Sequence, residues 1–342
     1  MRRNDGRRES RSTVLGSDST RTVRSAQVLT TLHSILARYG IVLALLCIAL
    51  VLSVANESFL SASNLINILR QVSINGILAV GMTFVILIGG IDLSVGSTLA
   101  FCGMLAASLA SRGPTFALWP ALLVALVAGA SLGAFSGAII AWLRLPAFVV
   151  TLGMLSAVRG LTLIESKGMP ISGLSSGFKS LGQGAFAGIP VPVIMFGSVV
   201  LISWFVLRYT VYGRRLYAVG GNIRSARTCG INTGVVVFSV YVLMGLLSAI
   251  AGLILTARTT AALPQAGVSY ELDAIAAVVI GGTSLTGGVG GVLLTVVGVL
   301  IIGLLNNGLD LLGVSSYYQQ LIKGLMIIAA VLIDRARHAE TH

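Results

Sequence analysis

Long apolar runs, separated by short polar segments, fill the chain from about residue 36 to its C-terminus. A membrane-spanning helix needs roughly 20 predominantly apolar residues, and runs of about this length recur ten times. The predicted spans are 37–55, 71–89, 94–111, 119–143, 146–164, 191–208, 234–256, 272–286, 289–308 and 317–334. The eighth run is short and is compatible with half of a broken helix. The pattern predicts an all-α polytopic membrane protein with about ten transmembrane helices.

Three segments between the apolar runs are long enough to have a structure of their own. Residues 165–190 are rich in Gly and Ser and are either a plain connector or a docking surface for an external partner. Residues 209–233 form a connection of a length that, when ordered, usually has a function. Residues 61–70 are predicted to form a short interfacial helix that begins at Ser61 or Ser63.

The composition excludes an ordinary water-soluble domain. Hydrophobic residues make up 56% of the chain and charged residues 10%, and the mean hydropathy is +0.95. Soluble domains are typically about 25% charged. We therefore predict one transmembrane domain over residues 36–335, preceded by a disordered basic tail at 1–35 and followed by a short tail at 336–342.

The net charge of +12 reflects membrane topology rather than nucleic-acid binding. No aromatic residues interleave with the basic N-terminus, as a nucleic-acid interface would require. If the N-terminal tail is cytoplasmic, sixteen Lys and Arg residues fall on the cytoplasmic side and five on the opposite side. The positive-inside rule then places both termini in the cytoplasm.

The sequence contains no recognisable catalytic, metal or cofactor site. The phosphate-binding pattern GxxxxGK[ST] is absent, so this chain is not expected to hydrolyse ATP by itself. Its three cysteines, Cys47, Cys102 and Cys229, are far apart and show no metal-ligand spacing. A membrane-embedded enzyme would need a polar catalytic cluster in the spans, and the sequence shows none.

Asp92 is the one acidic residue embedded between two apolar runs. In an ion-driven secondary transporter, such a carboxylate would be the coupling group. Its side chain is also suited to cap the following helix, where unsatisfied N–H groups attract an acceptor. Capping, substrate contact and ion coupling all remain open for Asp92 at this point.

The chain has 41 glycines, and two of their clusters form an internal repeat. The string Ile88–Gly96 resembles Ile280–Gly288, which lies 192 positions later and is separated from it by six spans, as in a parallel repeat. Irregular backbone at membrane depth is tolerated where protein or a water-filled cavity satisfies its polar groups. Either tight helix packing or a substrate pathway explains these glycines. The candidate pathway residues are Gly89, Gly90, Asp92, Ser94, Gly281, Gly282, Thr283 and Ser284.

Three stretches of the sequence carry a family resemblance. Residues 81–97 (GMTFVILIGGIDLSVGS), 218–231 (AVGGNIRSARTCGI) and 276–333 closely resemble the ribose-type permeases of bacterial ABC sugar importers. The resemblance covers about residues 40–334, and the string GGIDLSVGS is highly specific for this family.

The resemblance implies a multi-pass permease subunit of the inner membrane that translocates a sugar or similar small polar solute. It implies a homodimer that works with a cytoplasmic ATP-binding subunit and a periplasmic substrate-binding protein, without a cofactor. Membrane lipid is a further expected partner, because the Arg-rich tail suits the anionic inner leaflet. The implied ATPase coupling loop comprises Gly220, Gly221, Asn222, Ala226 and Gly230. Family members often carry acidic residues just after the Asn, where this chain has Ile223 and Arg224.

Overall fold

The computed structural model describes residues 40–111 and 118–339. The predicted tail at 1–35 therefore lies outside the described residues. The chain divides into two compact units, Met1–Cys47 and Ile48–His342. In the first unit, only the beginning of helix α1 is described, and the second unit contains all the other elements.

The described residues form thirteen helices and one small strand pair. In chain order they are α1 (Gly40–Ala55), α2 (Ala62–Leu87), α3 (Val95–Ala110), α4 (Leu118–Trp142), α5 (Ala147–Ser166), α6 (Ser176–Gln183), β1 (Ala185–Phe186), β2 (Ile189–Pro190), α7 (Val191–Tyr209), α8 (Val211–Gly221), α9 (Ile223–Thr228), α10 (Thr233–Thr259), α11 (Tyr270–Ile280), α12 (Val292–Leu311) and α13 (Ser316–Ala339).

The prediction of a helical polytopic membrane protein is confirmed. Within the described ranges, α2, α4, α5, α7, α10 and α12 are long and apolar enough to cross a membrane. Helices α1 and α3 are apolar but shorter. The count of ten spans and the orientation of the termini stay predictions.

Two predicted boundaries were wrong. Residues 61–70 are not a separate interfacial helix, because Ser61 accepts a hydrogen bond from the Asn64 N–H and opens one continuous helix to Leu87. The eighth span ends at Ile280 instead of residue 286, since Gly282 has a φ of 83° and the loop that follows is irregular. Helix α13 extends to Ala339 and includes residues 336–339, and the placement of 336–342 as a cytoplasmic C-terminal tail stays a prediction.

Helices α2 and α10 form the centre of the bundle. Glycines let α10 pack directly on the backbones of its neighbours: Gly245 lies against Gly129 of α4, and Gly252 lies against Leu99 of α3. Such small-residue contacts are typical of membrane helices, where packing replaces the hydrophobic effect as the source of association. Helix α2 is joined to α12 by the hydroxyls of Thr83 and Thr295, which lie 2.9 Å apart.

The segment 165–190 folds over one end of the bundle. Its helix α6 buries Phe178 completely and places Gly182 against the backbone of Arg258, at the end of α10. Ile171 forms an antiparallel bridge with Ala262. The segment is therefore packed on the bundle. A plain connector and a docking surface for an external partner both stay open as its function. Helices α8 and α9 lie at the opposite end, called here the α8–α9 end.

Candidate functional site

The first glycine-rich break connects α2 to α3 through residues 88–94. Gly89 adopts a φ of 74°, and the chain then turns back so that α3 starts at Val95. Asp92 is 4% exposed, and its Oδ1 accepts hydrogen bonds from the Ser94 amide at 2.9 Å and the Ser94 hydroxyl at 2.6 Å. The carboxylate thus closes a turn immediately before the first residue of α3, and Ser94 satisfies it locally.

The second break occupies residues 281–291, between α11 and α12. Gly281 packs against Leu294 of α12, and the hydroxyls of Ser284 and Thr286 lie 2.9 Å apart. Thr283 is fully buried, and its hydroxyl has no hydrogen-bond partner among the described residues. The break is therefore a packed hairpin with one buried hydroxyl left over.

The predicted coupling loop consists of the two short helices α8 and α9. Asn222 separates them, and its side-chain oxygen accepts the backbone N–H groups of Arg224 and Ser225, each at 3.0 Å. Ala226 is buried at 4% exposure, whereas Gly230 ends the loop with a φ of 79°. This is standard helix capping, and it holds α9 at a fixed angle to α8.

The structure brings the two breaks and the coupling loop together at one point. The Gly288 N–H donates to the Leu87 carbonyl at 2.9 Å, which joins the second break to the end of α2. A Cβ on Gly287 would lie 2.9 Å from the Gly89 amide nitrogen and 3.0 Å from the Gly220 carbonyl oxygen. These four glycines, Gly89, Gly220, Gly287 and Gly288, are called the glycine junction below.

Tyr217 adds a side-chain contact to the glycine junction. Its hydroxyl donates to the Gly290 carbonyl at 2.9 Å, so α8 holds the second break through both backbone packing and a hydrogen bond. Burial raises the pKa of Tyr217, and this hydroxyl therefore remains a donor well above neutral pH. A displacement of α8 would move both breaks, because backbone contacts cannot yield by a change of rotamer.

The predicted site residues do not form one cluster. The junction contains Gly89 and Gly220. Gly281 and Gly282 lie along the α11–α12 hairpin. The backbone of Gly221 lies against Gly288, whereas a Cβ on Gly221 or Gly230 would meet no atom within 4 Å. Asp92 and Ser94 belong to the turn before α3. Gly89 and Gly90 line a cavity of about 290 Å³ at the α8–α9 end.

Sequence reasoning missed a group of polar contacts inside the bundle. Asp273 of α11 is 3% exposed, and its Oδ2 lies 3.0 Å from the Lys323 ammonium of α13 and 3.3 Å from the Asn306 amide of α12. Arg159 of α5 donates to the carbonyls of Pro264 and Ala266 at 2.6 and 2.9 Å. An ionisable residue within a span is expected to have a polar partner. The positions of Lys323 and Arg159 within predicted spans could therefore have indicated these buried contacts.

Comparisons with known proteins identify the relatives of this chain. Residues 64–331 match the family described as "Branched-chain amino acid transport system / permease component". The ribose import permease protein of Haemophilus influenzae is 50% identical over 297 residues, which cover 85% of this chain and 91% of the relative. That of Bacillus subtilis is 48% identical, with 89% and 95% covered, and the D-allose transport system permease protein of Escherichia coli is 41% identical, with 83% and 86% covered. No solved structure matches the chain.

Proposed function

The chain belongs to the branched-chain amino acid transport system / permease component family, and on this premise we propose that it imports ribose or a closely similar monosaccharide. It is a multi-pass inner-membrane permease subunit of an ABC sugar importer, and the transport it performs involves no covalent chemistry. An ATP-hydrolysing subunit and a substrate-binding protein are the partners that the family implies.

The observation that carries the ribose proposal is the 50% identity to a ribose import permease across 85% of this chain. The D-allose permease is more distant at 41% identity, which favours ribose over allose as substrate. We disfavour the alternative of an ion-driven transporter, because Asp92 Oδ1 accepts both hydrogen bonds from Ser94 and thereby has a structural role in the turn before α3.

The site supports a proposal for how ATP hydrolysis on the partner subunit is coupled to movement of the membrane helices. Helices α8 and α9 would contact the ATPase, with Ile223 and Arg224 exposed on α9 and Ala226 turned into the protein. Through the glycine junction, their movement would reach α2 and the α11–α12 hairpin together. We therefore assign the first break the role of a hinge, with the second break moving together with α8 and the end of α2. That Asp92, Ser94, Thr283 and Ser284 line the pathway itself stays a prediction.

The same proposal includes a topology. With sixteen basic residues on one side and five on the other, both termini and the α8–α9 end would face the cytoplasm. The permease domain would then span 36–335, between a cytoplasmic tail at 1–35 and the C-terminal residues 336–342. Cysteine labelling from either side of the membrane tests this: Arg215→Cys should react from the cytoplasm and Lys179→Cys from the opposite side.

Homodimerisation is the remaining part of the proposal. Helix α5 exposes Ser156, and a Cβ placed on Gly153 or Gly160 would meet no atom within 4 Å, so this face has room for a second helix at close range. In a cysteine-free background, Ser156→Cys should cross-link two copies. The control is Ser131→Cys, an exposed position on α4 that should not cross-link, because the neighbouring Gly129 and Gly133 are already packed against α10.

Uptake of radiolabelled ribose and allose into proteoliposomes tests the function directly. The chain should import ribose in preference to allose, and only with ATP, the ATPase and the binding protein all present. Preference for allose would overturn the substrate assignment. Uptake by this chain alone, driven by an ion gradient, would overturn the importer mechanism.

A further inference from the structure

A cavity of about 290 Å³ opens at the α8–α9 end beside the first break. Its walls come from the α4–α5 turn at Arg144, from α9 at Arg227 and from the start of α10 at Thr233. A second cavity of about 310 Å³ adjoins it and shares these three residues, with Trp142 added to its lining. Two arginines thus border both cavities.

Neither arginine is neutralised within the described part of the chain. Both side chains are exposed, and the single ion pair found there joins Lys323 and Asp273, which lie elsewhere. Thr233 orients Arg227 by accepting a hydrogen bond from its Nε at 2.9 Å. Arg144 has a left-handed φ of 55°, a conformation that favours glycine, so its side chain sits at the cavity despite an unfavourable backbone. The site is cationic and has room for an anion.

Tyr241 supplies an unsatisfied polar group in the wall of the cavity. The residue is fully buried, and its hydroxyl has no hydrogen-bond partner among the described residues. The hydroxyl lies at the Gly90 wall, 2.6 Å from where a Cβ on Gly90 would be. Buried hydroxyls are nearly always hydrogen-bonded, and an oxygen atom of a ligand would satisfy this one.

Large exposed apolar side chains flank the arginines. Trp142, Leu143, Leu145 and Phe148 are between 46% and 68% exposed, all within the turn between α4 and α5 or next to it. Aromatic residues beside basic ones are typical of the boundary between hydrocarbon and headgroups. This combination suits a molecule with a negative head and apolar tails.

We propose that this cavity binds the phosphate headgroup of an anionic phospholipid from the inner leaflet, with Arg144 and Arg227 on the phosphate and the acyl chains against Trp142 and its neighbours. Basic pockets between membrane helices on the cytoplasmic side are suited to such headgroups. The proposal rests on the proposed orientation of the permease, which puts the α8–α9 end in the cytoplasm. A bound lipid would connect the α4–α5 turn to α9 and so adjust how α9 meets the ATPase.

Quenching of Trp142 fluorescence by brominated lipid tests the proposal on the full-length chain without partners or sugar. Trp119 and Trp204 are replaced by Phe, and the chain is placed in phosphatidylcholine nanodiscs with increasing brominated phosphatidylglycerol. Quenching should reach half its maximum at a lower mole fraction with brominated phosphatidylglycerol than with brominated phosphatidylcholine. Arg144→Gln and Arg227→Gln should each weaken this preference about fivefold, the equivalent of about 1 kcal/mol per arginine.

The matched control is Arg215→Gln, because Arg215 is exposed on α8 and lines neither cavity. This variant should keep the wild-type preference, and Tyr241→Phe should lose part of it. Equal quenching by the two lipids, or an equal effect of Arg215→Gln, would overturn the lipid site. Displacement of the lipid by inorganic phosphate would identify a site for a free anion instead.

A docking site for an acidic segment of the ATPase is the competing occupant. In that case, Arg144→Gln would lower the ATPase rate of the assembled importer equally in pure phosphatidylcholine and in bilayers containing phosphatidylglycerol. On the lipid proposal, the variant lowers the rate only where phosphatidylglycerol is present. The quenching measurement needs neither sugar nor ATP. The lipid site can therefore be refuted while ribose import is confirmed, and ribose import can be refuted while the lipid site is confirmed.

Discussion

Replacing Gly220 by Ala tests whether the glycine junction holds α8 against the membrane helices. A methyl group at this position would overlap the carbonyl oxygen of Leu87 and lie 2.6 Å from the amide nitrogen of Gly288. Both obstacles are backbone atoms, so no side-chain rotation relieves them. The methyl would also crowd both the donor and the acceptor of the 2.9 Å hydrogen bond from Gly288 to Leu87 and so force them apart.

The size of the effect follows from two contributions. Overpacking a tight contact costs about 1–3 kcal/mol, and losing a buried backbone hydrogen bond costs about 1 kcal/mol. Gly220→Ala should therefore lower the free energy of unfolding by about 2–4 kcal/mol, measured by equilibrium unfolding of the purified chain in mixed detergent micelles. Where the protein avoids this cost by displacing α8, ATP-driven uptake should fall at least about tenfold, since 1.4 kcal/mol corresponds to a factor of ten.

Gly221→Ala is the matched control. A Cβ on Gly221 meets no atom within 4 Å, and no left-handed φ constrains it. Both variants add one methyl group to the last turn of the same helix, so intrinsic helix propensity changes alike. Equal stability of the two variants would refute the steric reasoning. Full uptake by Gly220→Ala together with a large loss of stability would show that the junction supports folding but does not transmit movement.

Three further predictions concern contacts around the site. Asp92→Asn keeps an oxygen that can accept the Ser94 N–H and should retain ATP-driven uptake. Asp92→Ala loses this acceptor and should lower the free energy of unfolding by about 1 kcal/mol. Dependence of wild-type uptake on a proton or sodium gradient would contradict this structural role. Lys323→Met leaves Asp273 buried without its ion pair and should destabilise the chain by about 3 kcal/mol, and adding Asp273→Asn should restore part of this in thermal unfolding. Tyr217→Phe removes the donor to the Gly290 carbonyl and should cost about 1 kcal/mol, with a proportionate loss of uptake.

Local patterns in the sequence were sufficient for the helices and for the position of the breaks. Apolar runs of about 20 residues predicted most of the long helices, and paired glycines indicated the two breaks that follow α2 and α11. These patterns misplaced the end of α11 itself, because the predicted span continued past Ile280 to residue 286 through the Gly-, Thr- and Ser-rich segment GGTSLT. Hydropathy reports the environment of a segment, and an irregular hairpin packed inside a bundle has the same environment as a helix.

Tertiary contacts were beyond the reach of the sequence patterns. Gly220 and Gly288 are 68 positions apart, and nothing local to either indicates that they meet. Asp273 lies in the first turn of α11, and no local pattern indicates that it is buried against Lys323 and Asn306. The burial of Asp273 requires an ion-pair partner, and that partner, Lys323, lies 50 positions away on another helix.

The hydrogen bond from Gly288 to Leu87 indicates which parts of the protein move as one. The last carbonyls of a helix have no partner within the helix, and inside a membrane each unsatisfied carbonyl is costly. Leu87, the last residue of α2, has its carbonyl satisfied by the second break. Separating α2 from that break would leave the carbonyl unpaired, because Gly288 is its one donor among the described residues. The end of α2, the second break and α8 should therefore stay together throughout the transport cycle. Rearrangement during transport is then to be sought at the turn of Asp92 and Ser94 before α3, where a side-chain bond instead of a backbone bond holds the chain.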